Sequence, residues 1–120
     1  EDETSSQVLL GRMLRKLGVD VVEIKDGIEA LVELKRNSKI KLAFIDGYLP
    51  GLDGFELCSV LKGHSRLCDL PVILVSSDDR LLNRSRKHGF AGWIKKPVRQ
   101  EDLRLILSHP LINLSKGLKR

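Results

Sequence analysis

Residues 44–57 read FIDGYLPGLDGFEL. Apolar residues lead directly into Asp46, a loop rich in glycine and proline follows, and a helical pattern begins near residue 54. An apolar run that ends on a carboxylate predicts a buried strand with a charged group at its carboxyl end. Pro50 and Gly54 are predicted to shape the loop so that the chain turns sharply into the helix. The segment therefore predicts one strand–loop–helix unit with Asp46 at its bend.

Helical and strand patterns alternate on both sides of this segment. Helices are predicted at 5–17, 27–36, 54–63, 79–88 and 101–107, and strands at 19–24, 40–45, 71–75 and 90–94. Strands separated by helices pair in parallel through right-handed crossovers, and continuous apolar strands suit a sheet that is covered on both faces. The predicted fold class is α/β, a doubly wound parallel sheet between helices, in three layers.

Polar residues are expected to define several helix ends. Thr4, Ser5 or Ser6 is predicted to cap the first helix, and the segment Ser76-Ser77-Asp78-Asp79 to cap the fourth. Pro110 is predicted to end the last helix, because proline cannot continue the hydrogen-bond ladder.

The composition is that of one soluble domain. The chain has 120 residues, of which 42% are hydrophobic and 31% charged, enough for a single core. Because it has no apolar run of about 20 residues and an acidic N-terminus, EDETSSQ, we expect a cytoplasmic protein without a membrane partner. The net charge is +5 but only 4% of residues are aromatic, so no direct nucleic acid binding is expected. Cys58 falls on the apolar side of a predicted helix and is interpreted as a core thiol.

Chemically distinctive residues follow the predicted strands. Doubly wound folds place their ligand sites at the carboxyl ends of the strands. Asp46, Ser76 and Lys96 lie at such ends, and the acidic run Glu1-Asp2-Glu3 precedes the first helix. Grouped carboxylates suit Mg²⁺, and a carboxylate can serve as the nucleophile in phosphoryl transfer. A lysine and a hydroxyl would then stabilise the charged phosphoryl oxygens.

These residues stand in a recognisable order. The sequence resembles response-regulator receiver domains of two-component signalling systems from Glu1 to about His109. The segments that carry the resemblance are EDETSSQ, KLG at 16–18, DGIEAL at 26–31, FIDGYLPGLDGFEL at 44–57, PVILVSS at 71–77 and GWIKKP at 92–97. The resemblance implies the flavodoxin-like receiver fold and Mg²⁺ as cofactor.

The resemblance also implies roles for individual residues. It makes Asp46 the phosphoacceptor, and Ser76 and Lys96 the hydroxyl and the lysine that contact the phosphoryl group. Ser76 and Trp93 occupy the two switch positions. The implied Mg²⁺ ligands are Glu1, Asp2, Asp46 and the backbone carbonyl of Tyr48.

The implied function is phosphoacceptance followed by a conformational switch. The chain would take a phosphoryl group from a histidine kinase or a histidine phosphotransfer protein, and it would be no enzyme beyond catalysing its own phosphorylation and dephosphorylation. A phosphatase with an aspartate nucleophile is disfavoured, because Tyr48 stands where such enzymes carry a second aspartate. The alternative is a receiver-like docking module that is not phosphorylated. A homodimer or a domain-swapped oligomer is left open.

One feature departs from the family pattern. Receivers open with an apolar strand that ends at the acidic pair, whereas this sequence begins at Glu1. We therefore expect a receiver domain at 1–109 that lacks this strand, followed by a basic C-terminal tail or linker at 110–120. Without this first strand, the strands at 19–24 and 40–45 cannot pair directly, and backbone groups at the centre of the sheet are left without hydrogen-bond partners. Omitted upstream residues, a strand exchanged by domain swapping, or the tail Leu111–Leu114 would each resolve this.

Overall fold

The structure, a computed structural model, describes residues 3–47 and 53–109, with side chains from Gln7 onward. Its elements are α1 (Glu3–Lys16), α2 (Gly27–Arg36), β1 (Ala43–Asp46), α3 (Gly54–Lys62), β2 (Val72–Ser76), α4 (Asp79–Arg84), β3 (Gly92–Lys95) and α5 (Gln100–Leu107). A 3₁₀ turn at Arg86–His88 follows α4. The chain forms two compact units: Lys25–Pro97 is one, and the described parts of Glu1–Ile24 and Val98–Arg120 form the other.

The first of these units contains a parallel sheet with the strand order β1-β2-β3. Asp46 pairs in register with Val75, and Ser76 pairs with Lys95. The carboxyl ends of all three strands therefore meet at one edge. Each strand begins later than its apolar run predicted, because ladder hydrogen bonds rather than hydrophobicity set the ends of a strand. The Ala43 N–H, for example, donates to the Pro71 carbonyl at 3.1 Å just where β1 begins.

The predicted strand at 19–24 is wrong. These residues belong to no strand, and the sheet in the described part of the chain consists of β1, β2 and β3. β-branched residues favour a strand only where a partner accepts the ladder bonds. Other contacts hold the segment instead: Gln7 Nε2 donates to the Ile24 carbonyl at 2.8 Å, and Arg15 pairs with Glu23 at 2.8 Å.

The helix at 27–36 has the bounds that its sequence predicts. Asp26 caps it by accepting from the N–H groups of Ile28 and Glu29 at 2.7 and 3.2 Å. At its other end, the hydrogen bonds that Arg36 and Asn37 donate hold the pKa of Glu33 below its usual value. Local signals were sufficient here because each of these contacts spans at most four residues.

The other four helices differ from their predicted bounds, α3 and α5 by one residue at one end. α1 begins at Glu3, so Thr4, Ser5 and Ser6 lie within the helix and not at the predicted N-cap position that precedes it. α4 ends at Arg84 rather than at residue 88. The Ser85 hydroxyl donates to the Leu82 carbonyl at 2.8 Å, a local bond that competes with the helical pattern. α5 ends at Leu107, and Pro110 lies outside the described residues.

The core of the Lys25–Pro97 unit lies between α3 and β2. Leu57, Cys58 and Leu61 of α3 are fully buried, as are Val72 and Leu74 of β2. The prediction that Cys58 is a core thiol is confirmed. Burial raises the pKa of this thiol, which keeps it protonated and unreactive near neutral pH.

Candidate functional site

Asp46 and Lys96 form an ion pair at the carboxyl edge of the sheet. Lys96 Nζ lies 2.7 Å from Asp46 Oδ2, and the two side chains are 18% and 20% exposed. Asp46 is the last residue of β1, and Lys96 directly follows β3. Two charges this shielded from water interact more strongly than a surface pair. Two of the residues predicted for the site are thus brought together from positions 50 residues apart.

Ser76 ends the middle strand at the same edge. Its side chain is buried, and its Oγ accepts a hydrogen bond from the Asp78 N–H at 3.0 Å. The hydroxyl therefore keeps its own proton to donate. Ser76 does not cap α4, because Asp78 does so by accepting from the Arg80 N–H at 2.9 Å. The Ser76 carbonyl accepts from the Lys96 N–H at 3.0 Å, which fixes the backbone of Lys96 against β2.

The backbone next to Asp46 is tightly packed. A methyl group on Gly54 would lie 2.7 Å from the Asp46 carbonyl oxygen and 3.2 Å from Gly47 Cα. Glycine is therefore required at 54, at the start of α3, for the helix to approach this bend so closely. The Gly47 N–H donates to the Val75 carbonyl at 3.3 Å. These contacts hold the backbone at Asp46 and Gly47 in place.

Three of the predicted Mg²⁺ ligands lie outside the described residues: Glu1, Asp2 and Tyr48. Asp46 is the predicted ligand that the structure describes. Among the described residues, no group of three or more histidines, cysteines, aspartates or glutamates is arranged to hold a metal ion. A carboxylate at a ligand-binding edge of a parallel sheet does suit a hard divalent cation.

Trp93, the predicted aromatic switch residue, lies on β3 and is 54% exposed. Its neighbour Ile94 is buried, as expected for alternating residues of a strand. The general tendency of tryptophan to be a packing residue does not hold here.

Sequence reasoning missed how the start of α4 is attached to the site. Asp79, in the first turn of α4, pairs with Lys95 Nζ at 3.0 Å. Asp78 both caps the helix and donates its N–H to Ser76. The run of two serines and two aspartates signalled a helix cap, but nothing local revealed which residue would bond to Ser76 or which lysine would face Asp79.

One edge of the sheet therefore holds the shielded carboxylate of Asp46, the ammonium group of Lys96 and the buried hydroxyl of Ser76. A carboxylate nucleophile beside a fixed cation and a hydroxyl donor is the kind of set that phosphoryl transfer requires. The family model described as a response regulator receiver domain matches residues 1–108 of the chain. The chain belongs to this family. Its members are receiver domains of two-component systems.

Curated relatives of this receiver domain differ widely in size. It is 33% identical over 113 residues to a cyclic di-GMP phosphodiesterase of Thermotoga maritima, covering 94% of this chain but 30% of that protein. It is 32% identical over 93 residues to protein PilG of Pseudomonas aeruginosa, covering 76% of this chain and 68% of PilG. The chain thus spans about a third of the phosphodiesterase, and the activity of that whole protein is not carried over.

Solved structures show the same fold. The receiver domain of a sensor histidine kinase from Pseudomonas aeruginosa superposes with a TM-score of 0.83 at 26% identity, covering 94% of this chain and 93% of that one. That structure holds a magnesium ion in its active-site cleft. A signal receiver domain from Syntrophus aciditrophicus superposes with a TM-score of 0.78 at 31% identity, covering 100% and 89% of the two chains. The predicted flavodoxin-like receiver fold is confirmed. Across the described residues, the helices are too short or too polar to span a bilayer.

Proposed function

We propose that the chain is a phosphoaccepting receiver that takes a phosphoryl group onto Asp46 from a histidine kinase or a histidine phosphotransfer protein. The observation that carries the proposal is the 2.7 Å pair between Lys96 Nζ and Asp46 Oδ2, largely shielded from water beside the buried Ser76. A lone surface carboxylate would have no such fixed cation to offset the charge of a phosphoryl group.

In the proposed reaction, a carboxylate oxygen of Asp46 attacks the phosphorus atom of the donor. A bond forms between that oxygen and phosphorus, and the bond from phosphorus to the donor nitrogen or oxygen breaks. Lys96 then moves its interaction from the carboxylate to a phosphoryl oxygen. The Ser76 hydroxyl donates to a second phosphoryl oxygen, while its Oγ stays oriented by the Asp78 N–H. Phosphoryl transfer of this kind depends mainly on positioning and charge stabilisation.

Mg²⁺ belongs to the same proposal. The residues that would hold it are Asp46, Glu1, Asp2 and the backbone carbonyl of Tyr48. When bound, the ion neutralises charge on the phosphoryl oxygens. The magnesium in the active-site cleft of the Pseudomonas receiver structure supports this assignment.

The switch is proposed to run from Ser76 to Trp93. New phosphoryl contacts with Ser76 and Lys96 would favour one conformation over another, which is a shift in populations. The exposed Trp93 ring would report that shift. The chain's place in a cytoplasmic phosphorelay, with residues 1–109 as the receiver and 110–120 as a tail or linker, is part of the same proposal.

The test is the intact mass of the full chain after incubation with Mg²⁺ and acetyl phosphate. We expect one phosphoryl adduct on the wild type and none on Asp46→Asn. Asp69→Asn is the matched control, because it makes the same chemical change at an exposed aspartate and should retain the adduct. A folded wild-type chain that gains no adduct would refute the proposal and favour the docking module. An adduct that survives Asp46→Asn would move the phosphoacceptor elsewhere.

A further inference from the structure

Gly47, the residue after Asp46, is buried and leaves a space that another residue fills. A methyl group on Gly47 would lie 2.9 Å from Leu81 Cδ1, 3.5 Å from Leu74 Cδ1 and 4.0 Å from Ser76 Cβ. The optimal separation of two carbon atoms is about 3.5–4.0 Å. The Leu81 side chain therefore already occupies the place that a side chain at position 47 would take. Because Leu81 belongs to α4, this helix rests directly on the backbone beside the phosphoacceptor.

The start of α4 is also bonded to the carboxyl ends of β2 and β3. The Asp78 N–H donates to Ser76 Oγ at the end of β2, and Asp79 pairs with Lys95 at the end of β3. The second of these ties is weak, because both side chains are more than half exposed. The contact at Gly47 is packed, because the fully buried Leu74 also lies within 3.5 Å of the same methyl position. Packed side chains transmit displacements, because a close-packed interior has low compressibility.

We propose that Leu81 is a positioning residue for phosphorylation: its contact with Gly47 sets the position of α4, and α4 in turn places the Ser76 hydroxyl through the Asp78 N–H. This inference rests on the proposed function and deepens it. A larger residue at 47 pushes Leu81 outward, the start of α4 follows, and the hydrogen bond from Asp78 draws Ser76 Oγ away from its place. In the reverse direction, movement of the strand end on phosphorylation reaches α4 through the same contact.

The experiment is a double-mutant cycle on the full chain with Gly47→Ala, Leu81→Ala and their combination. The initial rate of adduct formation with Mg²⁺ and acetyl phosphate is measured by intact mass. Gly47→Ala creates the 2.9 Å clash, and Leu81→Ala leaves a gap under α4. We expect each change alone to slow adduct formation about threefold to tenfold, since a misplaced donor loses part of its stabilisation of the developing charge. In the double variant the alanine methyl at 47 replaces the missing Cδ1, so the rate should return to within about twofold of wild type.

The matched control is Gly63→Ala. A methyl group there would lie 3.7 Å from the carbonyl oxygens of Ser59 and Val60, which is ordinary contact. Combined with Leu81→Ala, it should give no rescue. Two further measurements separate positioning from stability. Urea unfolding of every variant shows that the rates are compared between folded chains. Amide hydrogen exchange of residues 80–84, recorded without phosphodonor, should accelerate in Gly47→Ala and recover in the double variant.

The outcomes are distinct for the two proposals. Mutual rescue of the phosphorylation rate supports the role of Leu81. Additive effects on the rate in a chain that does form the adduct overturn that role and leave the proposed function intact. A wild-type chain without any adduct refutes the proposed function and the role of Leu81 in it together, even if exchange at α4 still shows that the contact with Gly47 exists.

Discussion

Replacing Lys96 with methionine removes the charge that faces Asp46 and retains most of the side-chain volume. The pair measures 2.7 Å between Nζ and Oδ2, with side chains 18% and 20% exposed. Two unit charges about 4 Å apart attract by about 4 kcal/mol at an effective dielectric constant near 20, and desolvation of both ions offsets much of this. A hydrogen bond to a charged group contributes about 1.5–3 kcal/mol net. We therefore expect Lys96→Met to lower the free energy of unfolding by about 2 kcal/mol.

The same change should slow phosphorylation. Removal of one donor aimed at developing negative charge costs about 100-fold to 1,000-fold in rate. Because the Lys96 side chain is 18% exposed, water can replace part of its charge stabilisation, so we expect a loss of about 10-fold to 100-fold. Lys95→Met is the matched control: it removes the adjacent lysine, whose pair with Asp79 has side chains 51% and 69% exposed. That variant should lose at most about 0.5 kcal/mol and phosphorylate normally.

Urea unfolding followed by circular dichroism measures the first effect. With a slope of about 1–3 kcal/mol per molar urea, the midpoint of Lys96→Met should fall by about 1 M. Intact mass against time, with Mg²⁺ and acetyl phosphate, measures the second effect. If Lys96→Met and Lys95→Met matched each other in both midpoint and rate, the shielded pair would have no special role, and the reasoning from its burial would be wrong.

Three further predictions concern single side chains. Ser76→Ala removes the hydroxyl oxygen that accepts from the Asp78 N–H, so the free energy of unfolding should fall by about 1 kcal/mol and adduct formation should slow about tenfold. Ser77→Ala, a change at the exposed neighbouring position, should show neither loss in the same two assays. Asp26→Ala removes the cap that accepts from two N–H groups of α2, so the free energy of unfolding in urea should fall by about 1 kcal/mol. Asp20→Ala is the control, because Asp20 is exposed and lies outside any helix, and it should leave that free energy almost unchanged. Alkylation of the folded chain with iodoacetamide at pH 8, followed by peptide mass spectra, should show label on Cys68 and not on Cys58. Burial and the raised pKa of Cys58 keep its thiol protonated. Equal labelling of the two cysteines would contradict the buried position of Cys58.

Local sequence determined those elements whose stabilising contacts are local. α2 has its predicted bounds because its cap and its last-turn contacts lie within a few residues of one another. The apolar run at 71–75 identified β2, the strand buried along its whole length. The placement of Asp46, Ser76 and Lys96 at strand ends also followed from the sequence, because alternating strands and helices imply a parallel sheet and a common edge.

Contacts between distant residues decided the rest. The segment at 19–24 has the composition of a strand, but a strand also needs a partner, and its own sequence does not specify one. Whether the Trp93 ring is exposed or buried depends on which face of β3 other residues cover. The Asp46–Lys96 pair joins positions 50 residues apart, and Leu81 meets Gly47 from a later element of the chain. The sequence by itself determined which chemical groups reach the edge of the sheet, through periodicity and local caps. Only the tertiary structure decided which of them touch, because those contacts arise when separate elements pack.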